Sequence, residues 1–182
     1  MSDIPPSLTL EQLNQLGVDA AHTAFMQCCV AERWVQAMTM ARPFESVKQL
    51  LDLADSFWEA LGEADFLQAF EGHPKIGDVT SLRQKYASTK QLAAGEQASV
   101  NDASESVIQA LAVGNQQYEQ RFGFIFIVCA TGKSAAEMLA LLQTRLGHER
   151  EQELLIAAAE QAKITRIRLH KLLSVETASQ QD

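Results

Sequence analysis

The sequence predicts an all-α protein, a single domain of about eight helices in bundle-like or orthogonal packing, with one short buried extended segment. Three observations carry that expectation. Nearly every segment repeats its apolar residues at helical spacing. Three helix starts place Ser or Thr three residues before Gln or Glu. Only 124–130, "FIFIVCA", reads as a strand, and it has no second strand to pair with. The helical domain is expected to span 9–173, with 1–8 and 174–182 as flexible ends.

Thr9 with Gln12 forms the first capping box, and the helix it opens should end at Gly17. Asp19 is the expected cap of a second helix from 20 to about 40, which carries Phe25, Cys28, Cys29 and Trp34. It must stop before Arg42-Pro43, because proline disfavours helical geometry in its predecessor. Ser46 with Gln49 opens the clearest amphipathic helix, with Leu50, Leu51, Ala54, Phe57, Trp58 and Leu61 on one face up to Gly62. A short helix through Phe66, Leu67 and Phe70 leads into "EGHPKIGD" at 71–78, where Gly72, Pro74 and Gly77 break regular structure. A further helical piece starts at Ser81, "LAAGEQASV" interrupts it, and a long helix follows over 103–121, closed by Gly123. Ser134 with Glu137 opens a helix whose apolar face is Met138, Leu139, Leu142 and Leu146, with Gly147 as its stop. The last helix is expected over 148–173.

The 182 residues are 47% apolar and 21% charged, which describes a folded chain with a core. The net charge of −8, with Lys and Arg scattered, argues against nucleic acid or anionic lipid as partner and favours a small molecule or a protein. Cys28, Cys29 and Cys129 make an odd count with an adjacent pair, the usage of a reducing compartment. The N-terminal "MSDIPPSLTL" lacks the pattern of a signal peptide, the longest apolar run falls far short of the ~20 residues a membrane span needs, and "ASQQD" is no peroxisomal signal. A soluble cytoplasmic protein is expected, with no membrane association.

"ATGKS" after an apolar run suggests a phosphate-binding loop, but the required glycine five residues before Gly132 is replaced by Ile127. Gly132 should turn the chain and Ser134 should cap a helix. His22, His73, His148 and His170 lack ligand spacing, so no metal site is expected. Cys28 and Cys29 fit an apolar helix face better than a nucleophilic role.

His73 differs in kind. It lies on a loop bounded by glycines and is followed by a proline that fixes the backbone, so its ring is either aimed at a pocket as a proton carrier or closes the loop by hydrogen bonding. Glu96, after Gly95 at the head of a helical stretch, is either a first-turn glutamate or a carboxylate pointing into a cleft. Arg168, four residues from both Ile164 and Leu172, sits on an apolar helix face and needs an anion, from a structural carboxylate or an acidic substrate. Arg145 and Arg166 raise the same question more weakly.

Taken in order, "RPF" at 42–44, "HPKIGD" at 73–78, "GEQ" at 95–97, "YEQRFGFIFIVCATGKS" at 118–134, "LLQTRL" and "ITRIRL" resemble the 2-oxo-4-hydroxy-4-carboxy-5-ureidoimidazoline decarboxylases. The resemblance runs from about Thr9 to Leu173. It implies an all-helical homodimer that converts a ureidoimidazoline derived from urate into (S)-allantoin and CO2 without a cofactor. It further implies that His73 is the catalytic acid or base, Glu96 its partner, and Arg168 the anchor of the substrate, with Arg145 less favoured for that role. Gln97 would hydrogen-bond the ureido or ring carbonyls, and Pro74, Phe124 and Ile127 would line an apolar wall and offer backbone groups. Ala93 stands where many relatives carry serine, so one hydrogen bond to substrate is expected to be missing, worth on the order of 1 kcal/mol. The residues without the resemblance reach only a His, Glu and Arg that could form an acidic-substrate site, or a helical protein-interaction module whose His73 loop is structural. A hydrolase of a related ureide ring is the alternative nearer to the resemblance.

Overall fold

The computed structural model describes residues 7–75, 77–90 and 98–173, with side chains for all of these except 87–90 and 98–104. Among the described residues there are nine helices and no strand. They are α1 (Leu10–Gln15), α2 (Val18–Met26), α3 (Glu32–Met40), α4 (Val47–Glu59), α5 (Glu63–Glu71), α6 (Val79–Lys90), α7 (Ala98–Phe122), α8 (Ala135–Leu146) and α9 (Arg150–Leu172). The chain divides into two compact units, one built from the residues up to Gly72 with those from Ala158 onward, the other from His73–Ala157.

In the first unit α3 packs against α2, α4 and α5. Thr9 accepts from the Gln12 amide while the Gln12 side chain accepts from the Thr9 amide, so the expected capping box opens α1. Ser46 caps α4 at the Gln49 amide, although the Gln49 side chain returns to the amide of Glu45 and not to that of Ser46. The single helix expected over 20–40 is in fact two. Gly17, not Asp19, precedes α2, and the chain turns between Met26 and Glu32. No proline or glycine causes that break. The amides of Cys28 and Cys29 both donate to the Phe25 carbonyl, the Gln68 side chain accepts from the first amide of α3, and Cys28, Cys29 and Ala31 are all buried in the turn. Tertiary contacts therefore override a continuous helical pattern. The turn brings Phe25 edge-on to Trp34, with ring centroids 6.1 Å apart at 90°.

Arg42, ahead of the cis Arg42-Pro43 bond, donates to the carbonyls of Leu13 (3.0 Å), Leu16 (2.6 Å) and Thr39 (3.0 Å). These carbonyls lie at the ends of α1 and α3, where helix carbonyls run short of amide donors; that of Leu13 also receives the Leu16 amide at 3.4 Å. Asn14 and Phe44 exchange two hydrogen bonds of 2.9 Å. The core includes Phe25, Trp34, Met38, Leu50, Phe70 and Leu169.

In the second unit α7 packs against α6 and α8. The Ser134–Glu137 capping box is reciprocated at 3.2 Å in both directions, and Gly132 turns the chain at φ +75, a region open to glycine. Lys133 donates back to the Cys129 carbonyl at 2.8 Å, so "ATGKS" is a turn and a helix start, as expected. Segment 124–130 is neither helix nor strand, with Phe124, Ile127 and Cys129 buried.

Candidate functional site

Both ends of the loop that carries His73 are fixed by packing and hydrogen bonding. Gly72, the C-cap of α5, lies so close to Val30 that a Cβ there would stand 2.3 Å from Val30 Cγ2, a contact only glycine escapes. At the far end, Asp78 accepts from the Ser81 amide at 2.6 Å and from the Ser81 hydroxyl at 2.9 Å, opening α6. Those hydrogen bonds, the backbone one first, hold the Asp78 carboxyl below its ordinary range. Between these ends Lys75 bonds Glu119 of α7 at 2.7 Å. His73 is half-buried, and Pro74 and Lys75 are exposed.

The second part of the site is 124–130. It has no strand partner among the described residues, and two of its carbonyls, with one just before it, are met by cations, while that of Ala130 accepts from the Lys133 amide at 3.0 Å. Arg150 donates to Phe122 (3.2 Å), Arg145 to Ile127 (2.6 Å) and Lys133 to Cys129 (2.8 Å), which answers the requirement that buried carbonyls find donors. Phe124 packs edge-on to Tyr118 with centroids 5.8 Å apart, and the Arg145 guanidinium lies 4.5 Å from the Phe126 ring centre.

Arg145 is only 5% exposed and its donors are committed. Its Nε bonds Glu153, which is fully buried, one Nη reaches Ile127, and the other lies 3.3 Å from the Tyr118 hydroxyl. Tyr118 donates to Glu153 Oε1 at 2.6 Å, and His148 Nδ1 meets Oε2 at 3.1 Å. Burial first, then the Glu153 carboxylate, pushes the Tyr118 phenol well above its ordinary range, so it stays a donor. Sequence reasoning missed Glu153, Tyr118 and His148. The available signal was a glutamate four residues ahead of Ala157, in register with the buried stripe that continues through Gln161 and Thr165.

Arg168, in the first unit, is half-buried and donates to the Cys28 carbonyl at 3.3 Å. No carboxylate of the described residues pairs with it. Its charge draws down the Cys28 thiol, but burial outweighs that and pushes the thiol up to about 12. His73, Pro74, Phe124, Ile127 and Arg145 all belong to the second unit, where Arg145 bonds the Ile127 carbonyl and Phe124 packs on Tyr118. Glu96, Gln97 and Ala93 lie outside the described residues. Among the described residues, no group of three His, Cys, Asp or Glu side chains could hold a metal, and no helix is long and apolar enough to cross a membrane.

Comparison with known proteins places this arrangement. The family model described as OHCU decarboxylase, the ureidoimidazoline decarboxylase of the sequence resemblance, matches residues 14–170. The uric acid degradation bifunctional protein TTL of Arabidopsis thaliana is 35% identical over 147 residues, 81% of this chain but only 45% of that protein. The 2-oxo-4-hydroxy-4-carboxy-5-ureidoimidazoline decarboxylase of Haloferax volcanii is 29% identical over 93% of this chain and 98% of its own length. A crystal structure of OHCU decarboxylase in the presence of (S)-allantoin superposes with TM-score 0.66 and 34% identity, covering 82% of this chain and 96% of the other. With the His73 and 124–130 segments both inside the matched range, the chain belongs to the OHCU decarboxylase family.

Proposed function

We propose that the protein decarboxylates 2-oxo-4-hydroxy-4-carboxy-5-ureidoimidazoline to (S)-allantoin and CO2, a carboxy-lyase step at the end of urate-to-allantoin conversion. The observation that carries this reading is the family match across 14–170, which includes every motif that distinguished the chain from a generic helical protein. The interaction-module and ring-hydrolase readings have no such support.

The chemistry asks little beyond orientation and proton transfer. Loss of CO2 leaves an electron pair on the ring carbon, and the neighbouring carbon–nitrogen double bond accepts it, the task a cofactor performs in other decarboxylases. The ring nitrogen that receives the pair takes up a proton, the hydroxyl on the decarboxylated carbon gives one up as it becomes the ring carbonyl, and the adjacent carbon gains one to become the new stereocentre, a net uptake of one proton. We assign His73 to proton transfer and Glu96 to its partner role. Gln97 would bind the ureido or ring carbonyls, and Arg168 the substrate's carboxylate. A guanidinium with no carboxylate partner among the described residues suits an anion. Pro74, Phe124 and Ile127 supply an apolar surface and backbone groups. No cofactor is required. A cytoplasmic homodimer completes the proposal, checked by sedimentation equilibrium of the purified protein.

The decisive experiment generates the substrate in situ from urate with the two upstream enzymes and follows allantoin by circular dichroism. Rapid (S)-allantoin formation, lowered at least a hundredfold in His73→Ala and Glu96→Ala with the helical spectrum intact, is the expected result. In Arg168→Ala the rise in KM should exceed the fall in kcat. A wild-type protein that leaves the spontaneous racemic decay unchanged would defeat the proposal.

A further inference from the structure

Glu153 has no exposure at all, and nothing in the reaction above uses it. It stands in the first turn of α9, where its two oxygens collect Arg145 Nε and the Tyr118 hydroxyl on one side and His148 Nδ1 on the other. Stability is a poor reason for such a pair, because a buried ion pair commonly does no better than well-packed apolar side chains. What it provides is direction. The guanidinium is a rigid planar fork, so a Nε locked onto Glu153 fixes where the Nη donor points, and that donor holds the Ile127 carbonyl at 2.6 Å. The peptide between 127 and 128 is planar and trans, so the Val128 N–H is turned to the side opposite that carbonyl.

Segment 124–130 has no strand ladder to set its peptide planes, and the bond to Arg145 takes that role at its middle. We propose that Glu153 is a positioning residue for the decarboxylation. Acting through Arg145, and with the Tyr118 hydroxyl bridging the two, it orients the 127–128 peptide that the segment offers to the substrate. The proposal rests on the decarboxylase reading only in taking 124–130 as a substrate-facing segment. Arg145, weighed above as a second anchor for the substrate, acts on this view from inside the protein.

The test replaces charge with packing. The double variant Arg145→Met with Glu153→Leu keeps the volume apolar and filled, and Tyr118→Phe removes the bridging hydroxyl alone. Both are compared with wild type for KM and kcat, and for amide hydrogen exchange of 124–130 against α7 and α8. The double variant is expected to keep its helical spectrum while KM rises at least tenfold and exchange over 124–130 quickens at least tenfold relative to the two helices. Tyr118→Phe should move both readouts the same way, by about threefold. Wild-type KM in the folded double variant overturns the proposal, and so does a raised KM with unchanged exchange. Should the double variant not fold, Tyr118→Phe decides, and wild-type KM with wild-type protection overturns it. Absence of turnover by the wild-type protein would sink the decarboxylase reading alone, since the exchange arm still reports whether the pair orients the segment.

Discussion

Arg145 and Glu153 form a buried ion pair between the end of α8 and the start of α9, with the carboxylate fully enclosed and the guanidinium nearly so. Removing one member leaves the other charged without its partner, which typically costs about 3–5 kcal/mol. Glu153→Gln should therefore lower the urea midpoint strongly at unchanged slope. Arg145→Met with Glu153→Leu should recover most of the loss, because neither charge then remains. Equal midpoints for Glu153→Gln and wild type would show that the pair contributes nothing to the fold.

Arg42 makes a sharper case for geometry over charge. Its guanidinium meets three backbone carbonyls at once, on Leu13, Leu16 and Thr39. A lysine keeps the charge but offers a single ammonium on a flexible stem. Arg42→Lys is expected to destabilise by about 1 kcal/mol, the low end of the range for acceptors that lose a donor, because these sites are only part-buried. Thermal unfolding followed by circular dichroism would measure it, and an unchanged Tm would mean that water replaces the lost donors.

Gly72 owes its identity to Val30. A Cβ at 72 would meet Val30 Cγ2 at 2.3 Å and Cγ1 at 3.0 Å, and a β-branched side chain has little freedom to move aside. Gly72→Ala should cost about 1–3 kcal/mol by overpacking. Adding Val30→Ala should relieve the clash, so that the pair is less damaging than the sum of its members. Because residue 72 precedes His73, the single variant should also lower allantoin formation more than stability alone explains. A strictly additive double variant would contradict the steric account.

Helix type and the reciprocated caps were legible because they are local. Thr9–Gln12 and Ser134–Glu137 lie within one turn of each other and form in the structure as the spacing says. The break between α2 and α3 was not legible, since no residue there forbids a helix, and the partner that accepts from the first α3 amide, Gln68, comes from α5. The same distinction governs the site. His73 stands out as a candidate by its glycine- and proline-bounded loop, whereas Glu153 looks like one more first-turn glutamate until Tyr118 and Arg145 arrive from other helices. Its i+4 register with Ala157 went unread, and only the fold supplies its partners.

Burial makes the adjacent thiols a pH probe of the first unit. It pushes the Cys28 thiol from 9.0 up to about 12, and the Cys29 thiol upward also. The native state thus holds a proton that the unfolded chain releases near pH 9. For Cys28 this contribution is fully present below pH 9 and lost as pH rises toward the folded value of about 12, at about 1.4 kcal/mol per pH unit. Cys28→Ala should accordingly show a shallower fall in unfolding free energy between pH 9 and 11 than wild type, even though it is somewhat less stable at pH 7. The same shift leaves Cys28 with about a thousandfold less thiolate than an ordinary cysteine at pH 8. Ellman's reagent should therefore react with it slowly in the native protein and fast once guanidinium unfolds it. Rapid native labelling at Cys28 would mean that the turn between α2 and α3 opens readily, and the alkaline slope of the Cys28→Ala variant would then match that of the wild type.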